Sequence, residues 1–311
     1  MFRGLKALLL TIFLLFCQST LADCTTTNST VTLPGSSSFG VYNGQINAQG
    51  TSGFRCTGLR LSLLAEDTFN VKIASTTNNM ALVNTDGSGD KIPYLLYPDI
   101  NYQYSYKVGQ TIDYRSLNLV SVFNRNKANL PLYIKTIAGA NVRAGTYTDT
   151  INLLWNYHIC EAGVGFLGIC IWKNGVNQPS TVNISVAIIK DCLIGTAPDV
   201  NFGKMALVGQ FNPVNKSITL TCTKNEGYNI YFTNGNNPVT GWRRMKSGAS
   251  NFMQYQIYLP NTTTIWDSTN KQSGFGTGLA QSIPYKAAVN AAQAEVAVGT
   301  YQDNISFVVE Y

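Results

Sequence analysis

Residues Gly145 to Tyr157 read GTYTDTINLLWNY, and residues Gly299 to Tyr311 read GTYQDNISFVVEY. Each opens on a Gly-Thr-Tyr turn, carries an Asp two residues later and then alternates apolar with polar side chains. Ile151, Leu153, Trp155 and Tyr157 share one face of the first stretch, and Ile305, Phe307, Val309 and Tyr311 share the matching face of the second. Period-two alternation of this kind is the mark of a β-strand with one buried face. A further alternating run, Val182, Ile184, Val186 and Ile188, trails the first copy, and no such run trails the second. One sheet therefore reads as complete and the other as a strand short.

Working outward, the repeat extends over the two halves of the chain. Asp23-Cys24 answers Asp191-Cys192, Phe39-Gly40 answers Phe202-Gly203, Phe69-Asn70-Val71 answers Tyr228-Asn229-Ile230, and Tyr94 with Tyr97 answers Tyr255 with Tyr258. The spacing places a boundary near Lys190, giving an N-terminal domain over 23–190 and a C-terminal domain over 191–311. Gly and Asn turns recur at short intervals with almost no helical periodicity, so an all-β fold of two β-sandwiches is expected. The Ala-rich run Lys286 to Ala297 admits either a helical turn or a loop before the last strand.

Arg3 and Lys6, the apolar run Ala7 to Phe16 and the small residues before Asp23 predict a secretory signal peptide over 1–22. Cys17 follows Phe16, where lipid attachment requires a small residue, so lipidation is disfavoured. Loss of the signal takes the 22 basic residues to 20 against 16 acidic, a net charge of +4. A charge so small and so scattered gives no footprint for nucleic acid. Six of the seven cysteines remain, an even number in a chain bound for an oxidising compartment. Spacing pairs Cys24 with Cys56, Cys192 with Cys222, and Cys160 with Cys170. Closing a loop of about 30 residues contributes roughly 3 to 4 kcal/mol on the chain-entropy account.

Enzymatic chemistry has little foothold. The one histidine, His158, sits beside Cys160 with neither a metal-ligand cluster nor a nucleophile motif around it. Neither a cofactor nor a metal site is expected. Asp149 and Asp303 recur just after Gly-x-Tyr, where a carboxylate caps its own turn. No spacing among the acidic residues nominates a glycosidase pair.

Apolar residues in loops are more informative. Val164, Phe166, Leu167 and Ile169 stand among glycines between Cys160 and Cys170, with Trp172 just beyond. Such a loop is either an exposed contact surface or a lid folded over a sheet edge. Ile100, Tyr102 and Tyr104 form a second group between turn residues, and tyrosine supplies contact area at low entropic cost. If successive strands alternate direction, both loops lie at the pole of the first sandwich farthest from the second domain.

The Cys and Phe-Gly opening, the paired cysteines, Arg243-Arg244-Met245, the Tyr255-x-x-Tyr258 strand and the closing Gly299-x-Tyr301-x-Asp303 strand resemble the spore coat protein U type domain. That domain is the subunit module of archaic, Csu-type, chaperone-usher pili, and a two-domain chain of this kind resembles a tip adhesin. The resemblance implies immunoglobulin-like pilin folds, with the C-terminal domain an incomplete, six-stranded one. It also implies a periplasmic chaperone, an outer-membrane usher and an adjacent pilin whose N-terminal strand enters a groove beside Ile305, Phe307, Val309 and Tyr311. It implies attachment to a hydrophobic abiotic or host surface through apolar loops, with biofilm formation at an extracellular pilus tip. Independently, Val182, Ile184, Val186 and Ile188 read as a strand with which the first domain completes itself. Cys24 lies one residue past the expected cleavage point, which predicts an acceptor without a free arm to donate. A lectin-like tip stacking sugars on Tyr102, Tyr104 and Trp172, and a structural pilin or coat subunit, are the competing expectations.

Overall fold

The computed structural model describes residues 24–56, 61–63, 68–113, 123–124, 127–164 and 169–311, with backbone alone at 61–63, 123–124, 127–130 and 161–164. The expected signal peptide, Phe166 and Leu167 lie outside the described residues, as does the side chain of Val164. In the first half the strands are β1 (Cys24–Thr27), β2 (Ser29–Thr32), β3 (Ser36–Ser37), β4 (Asn47–Cys56), β5 (Leu61–Leu63), β6 (Thr68–Thr76), β7 (Ala81–Asn84), β8 (Lys91–Tyr97), β9 (Thr111–Asp113), β10 (Phe123–Asn124), β11 (Lys127–Thr136), β12 (Gly145–Val164) and β13 (Ile169–Ile189). The second half holds β14 (Cys192–Thr196), β15 (Val214–Cys222), β16 (Gly227–Phe232), β17 (Arg243–Ser247), β18 (Asn251–Tyr258), β19 (Gln272–Phe275), β20 (Gln281–Val289) and β21 (Phe307–Glu310).

The first half pairs in the order β1-β4-β11-β8-β7-β12-β13-β2, with β6 also on β12. Only Asn28 separates β1 from β2, so the first strand leaves one end of this path and its continuation joins the other. That switch wraps the strands round a core in which Trp155, Tyr94, Tyr147 and Leu132 are fully buried. Phe54 anchors one end of the core, stacked on Tyr157 at 4.7 Å and edge-on to Trp155 at 5.7 Å. The second half forms a five-stranded sheet, β14-β15-β20-β18-β17, and a three-stranded one, β19-β16-β21. Its core is centred on Trp266, Ile230, Ile257 and Leu220. Short edge strands β17 and β19 are additions to the six strands expected there. The ladders divide between Ile189 and Cys192. Disulfides join Cys24 to Cys56, Cys160 to Cys170 and Cys192 to Cys222.

Three local features differ from, or add to, the sequence reading. The clipped loop is not a loop from Tyr157 to Val182: β12 and β13 continue past it as one hairpin, paired from Gly145↔Ile188 to Val164↔Ile169. Bulges near Trp155 and near Cys160 absorb the register shifts, and β5 supports the arm by pairing with Ala162 to Val164. Gly175 makes the extension possible, because the Tyr157 ring lies over it where a Cβ would come within 2.2 Å of the ring. Residues 286–289 complete β20, and the rest of the Ala-rich run forms turns and irregular backbone without a helix. A short helix, α1 (Ser38–Asn43), follows β3, capped by Ser37 Oγ accepting from the Gly40 amide at 3.2 Å.

Candidate functional site

The two halves are the same sandwich in different states of completion. In the first, β13 lies between two neighbours: antiparallel to β12, and parallel to β2 with Val182 opposite Ser29 and Ile184 opposite Val31. All four of its inward side chains, Val182, Ile184, Val186 and Ile188, are buried to 3% exposure or less. In the second half β21 takes the place of β12 and pairs with β16 on one side. Its outer edge has no partner strand among the described residues. The segment 197–205, which corresponds to β2, β3 and the start of α1, is likewise outside any ladder.

Between these two edges the core of the second domain is open. Val200, Phe202, Ile305, Phe307 and Val309 pack on it but remain partly exposed. Phe307 meets Phe232 at 5.3 Å and Trp266 at 6.0 Å, and Phe202 meets Tyr255 at 6.2 Å. Further out, Leu193, Ile194, Met205, Leu207 and Tyr311 are exposed. The sequence reading named the β21 side of this groove and missed the opposite wall. The Phe39-Gly40 and Phe202-Gly203 correspondence was the available signal, since Val31, Leu33 and Phe39 of the first copy are buried.

The second candidate is a pole of the first domain. β8 is antiparallel to β7 and β7 to β12, so β8 and β12 run the same way. β8 and β12 therefore both run toward one pole, with Val164 reaching farther than Tyr97, and β13 returns the chain to the opposite pole, where β14 begins. Ile100 at 66%, Tyr104 at 79% and Ile169 at 68% exposure stand open there. Ile171 and Val176, outside the expected set, are open too, and Ile171 was legible as the i+2 neighbour of Ile169.

Two other expected contact residues make ring contacts within the domain, Tyr102 partly buried and Trp172 still 37% exposed. Tyr102, at φ 55, packs edge-on to Tyr97 at 5.1 Å and Tyr133 at 6.2 Å, with Lys135 Nζ 4.8 Å above its ring. Trp172 lies parallel on His158 at 4.1 Å, and His158 Nδ1 is hydrogen bonded to Asn174 Oδ1.

Asp149 and Asp303 are structural anchors. Asp149 caps Asn78 and Thr150 amides and accepts from Tyr94; Asp303 does the same for Asn236, Asn304 and Tyr255. Among the described residues no three His, Cys, Asp or Glu side chains converge as metal ligands, and no helix is long and apolar enough to cross a membrane.

A profile of the Spore Coat Protein U domain matches residues 11–153 and again residues 178–307. A search of curated proteins returned no significant relative. Among solved structures, a chain of the CsuC-CsuE chaperone-tip adhesion subunit pre-assembly complex, from the archaic chaperone-usher Csu pili of Acinetobacter baumannii, is 26% identical. The match covers 93% of this chain and 100% of that one, with a TM-score of 0.60. Fainter likenesses are the CupB6 tip adhesin of Pseudomonas aeruginosa, 12% identical over 93% of this chain and 92% of that one at TM-score 0.36, and CfaE, the adhesive subunit of CFA/I fimbria of enterotoxigenic Escherichia coli, 10% identical over 91% and 92% at TM-score 0.32.

Proposed function

The chain belongs to the Spore Coat Protein U domain family, and from that premise we propose that it is the adhesive tip subunit of an archaic chaperone-usher pilus. Its family and its structural likeness are those of pilus adhesins and subunits, not of enzymes. The observation that carries the reading is the contrast between β13, held on both sides in the first domain, and β21, paired on one side in the second.

An unpaired strand edge above an open apolar core is a template for strand addition. The incoming strand comes first from a periplasmic chaperone and then, at the outer-membrane usher, from the N-terminal strand of the adjacent pilin. Its backbone completes the β21 ladder while alternate apolar side chains cover Val200, Phe202, Ile305, Phe307 and Val309. In the first domain the equivalent burial by Val182, Ile184, Val186 and Ile188 is worth roughly 6 to 10 kcal/mol, comparable to the stability of a whole domain.

The first domain then presents its distal pole away from the fibre, outside the cell. Ile100, Tyr104, Ile169 and Ile171 enter hydrophobic depressions of an abiotic or host surface, each large side chain contributing about 1.5 to 3 kcal/mol when fully buried. Many pili on one cell multiply modest contacts through avidity, which supports biofilm growth. Of the three rings a sugar-binding tip would use, Tyr102 is packed among tyrosines and one face of Trp172 is covered by His158. That arrangement favours apolar contact over sugar stacking.

Expression of the chain alone in a periplasm tests the assembly half: aggregation or degradation is expected, with rescue by a cognate chaperone or by a donor peptide fused after Tyr311. A stable, monodisperse monomer without either would overturn it. For adhesion, serine at Ile100, Ile169 and Ile171 should abolish attachment to hydrophobic plastic at unchanged pilus number and first-domain melting temperature. Competition of attachment by soluble glycans would remove these residues from the site.

A further inference from the structure

Only Lys190 and Asp191 separate β13 from β14, and relative motion is the default for domains joined in tandem. Here three separate points hold them. At the first, Ser38 Oγ of α1 meets Thr223 Oγ1 at 2.7 Å, with both residues almost fully buried. Thr223 Oγ1 also accepts the Asp191 amide at 2.8 Å and spends its own proton on the Asp191 carbonyl at 3.0 Å. Ser38 must therefore be the donor, and all three hydrogen-bonding directions of the threonine hydroxyl are used.

At the second point Asp90, ahead of β8, accepts Lys224 Nζ at 2.7 Å and the Arg143 amide at 3.0 Å. Its carboxylate side chain is 9% exposed and that of Lys224 34%, so the pair is sheltered on the carboxylate side and partly open on the lysine side. At the third, Asn141 Nδ2 donates to the Thr277 carbonyl at 3.0 Å. Gly278 beside it has φ +74, and a Cβ there would come within 1.8 Å of Asn141 Oδ1. The positive φ and the close approach of the Asn141 side chain to this backbone both favour the glycine.

We propose that this three-point joint locks the two domains into one rigid lever, so that the distal pole holds a fixed direction relative to the groove of the second domain. The points are contributed by three separate segments of the first domain, α1, the turn before β8 and the turn before β12, each with its own hydrogen bond to the second domain. Load applied at the pole is then carried through the joint into β15 and the groove domain, and the two-residue linker does not act as a swivel. The inference stands on contacts within the chain and does not depend on what either site binds.

Distance measurement by pulsed EPR tests it, with a nitroxide-bearing noncanonical residue at Thr30 in β2 and another at Lys216 in β15, both exposed and on strands. This choice leaves the cysteines untouched. The full chain, kept soluble by a donor peptide fused after Tyr311, should give one narrow distance distribution, and the Ser38→Ala, Lys224→Ala double variant in the same fusion a distribution broadened severalfold, with the circular dichroism of both domains retained. A broad distribution in the unaltered chain would overturn the proposal whether or not the variant folds. So would a narrow distribution in a folded double variant.

Discussion

The hydroxyl of Tyr255 donates to a carboxylate oxygen of Asp303 at 2.7 Å, tying β18 of one sheet to the chain entering β21 of the other. The first domain repeats the tie between Tyr94 and Asp149 at 2.8 Å. Burial, reinforced by the neighbouring carboxylate, pushes both tyrosine hydroxyls upward, so each remains a donor throughout the physiological range. A hydrogen bond to a charged acceptor contributes about 1.5 to 3 kcal/mol. Tyr94→Phe and Tyr255→Phe should each lower the stability of their own domain by about that amount. Denaturant melts of the chain carrying a donor peptide after Tyr311 check it, and an effect confined to one domain would break the equivalence of the two ties.

Arg243 is fully buried, and among the described residues no carboxylate forms an ion pair with it. Its guanidinium instead donates to the carbonyls of Thr233, Phe232 and Trp266 and to Gln256 Oε1, at 2.6 to 3.0 Å. Burial lowers its pKa, the cost of holding a cation where water is excluded. Register places Met80 of the first domain at the equivalent position, opposite Tyr94 as Arg243 is opposite Tyr255. Methionine is nonetheless expected to fail at 243, because it would leave three buried carbonyls without donors. The loss should be on the order of 3 kcal/mol or more. Lys should not rescue it, since one ammonium cannot reproduce the planar fork. A melting temperature within a degree or two of the parent for Arg243→Met would refute this account.

Gly175 tests the extension of the β12–β13 hairpin. A methyl group there would lie 2.2 Å from Tyr157 Cζ and force the ring off its stack with Phe54. Gly175→Ala should destabilise the first domain by about 1 to 3 kcal/mol, the usual cost of overpacking. Thermal melts should move by about 2 to 4 °C per kcal/mol for a domain of this size. A neutral substitution would show that the arm yields to the added methyl group.

Much of the fold was legible because it is written in local periodicity and repeated once. Ile151 to Tyr157 and Ile305 to Tyr311 gave their strands by alternation, and cysteine spacing gave the disulfide pairs. The hairpin arm was hidden because the glycines between Cys160 and Cys170 read as loop formers, whereas pairing with β5 and the bulges carries β12 through Gly163 to Val164. α1 is too short to show a helical period. For Trp172 and Tyr102 the sequence reports the residue type but not the His158, Tyr97 and Tyr133 rings they pack against. Contacts of the joint were beyond reach, since Asp90 and Lys224 are separated by 134 residues and Ser38 and Thr223 by 185.

Acid should loosen that joint. Burial of Asp90 disfavours its charge and is the largest single influence, yet hydrogen bonds from Lys224 and the Arg143 amide, with the two positive charges, outweigh it and hold the carboxyl below its ordinary value. Asp86 shares the Arg143 guanidinium at 3.5 Å, and the Tyr147 hydroxyl is bonded to the Arg143 carbonyl. A carboxyl depressed in the folded state contributes stability above its unfolded value, about 3.9, and loses it as pH falls through the folded one. The doubly labelled chain should therefore keep its narrow distance distribution from neutral pH down to about pH 4 and broaden only below that. In Lys224→Ala the partner is gone, so a wide distribution should already be present at neutral pH with little further change on acidification. Broadening of the parent between pH 7 and pH 5 would point to some group other than Asp90.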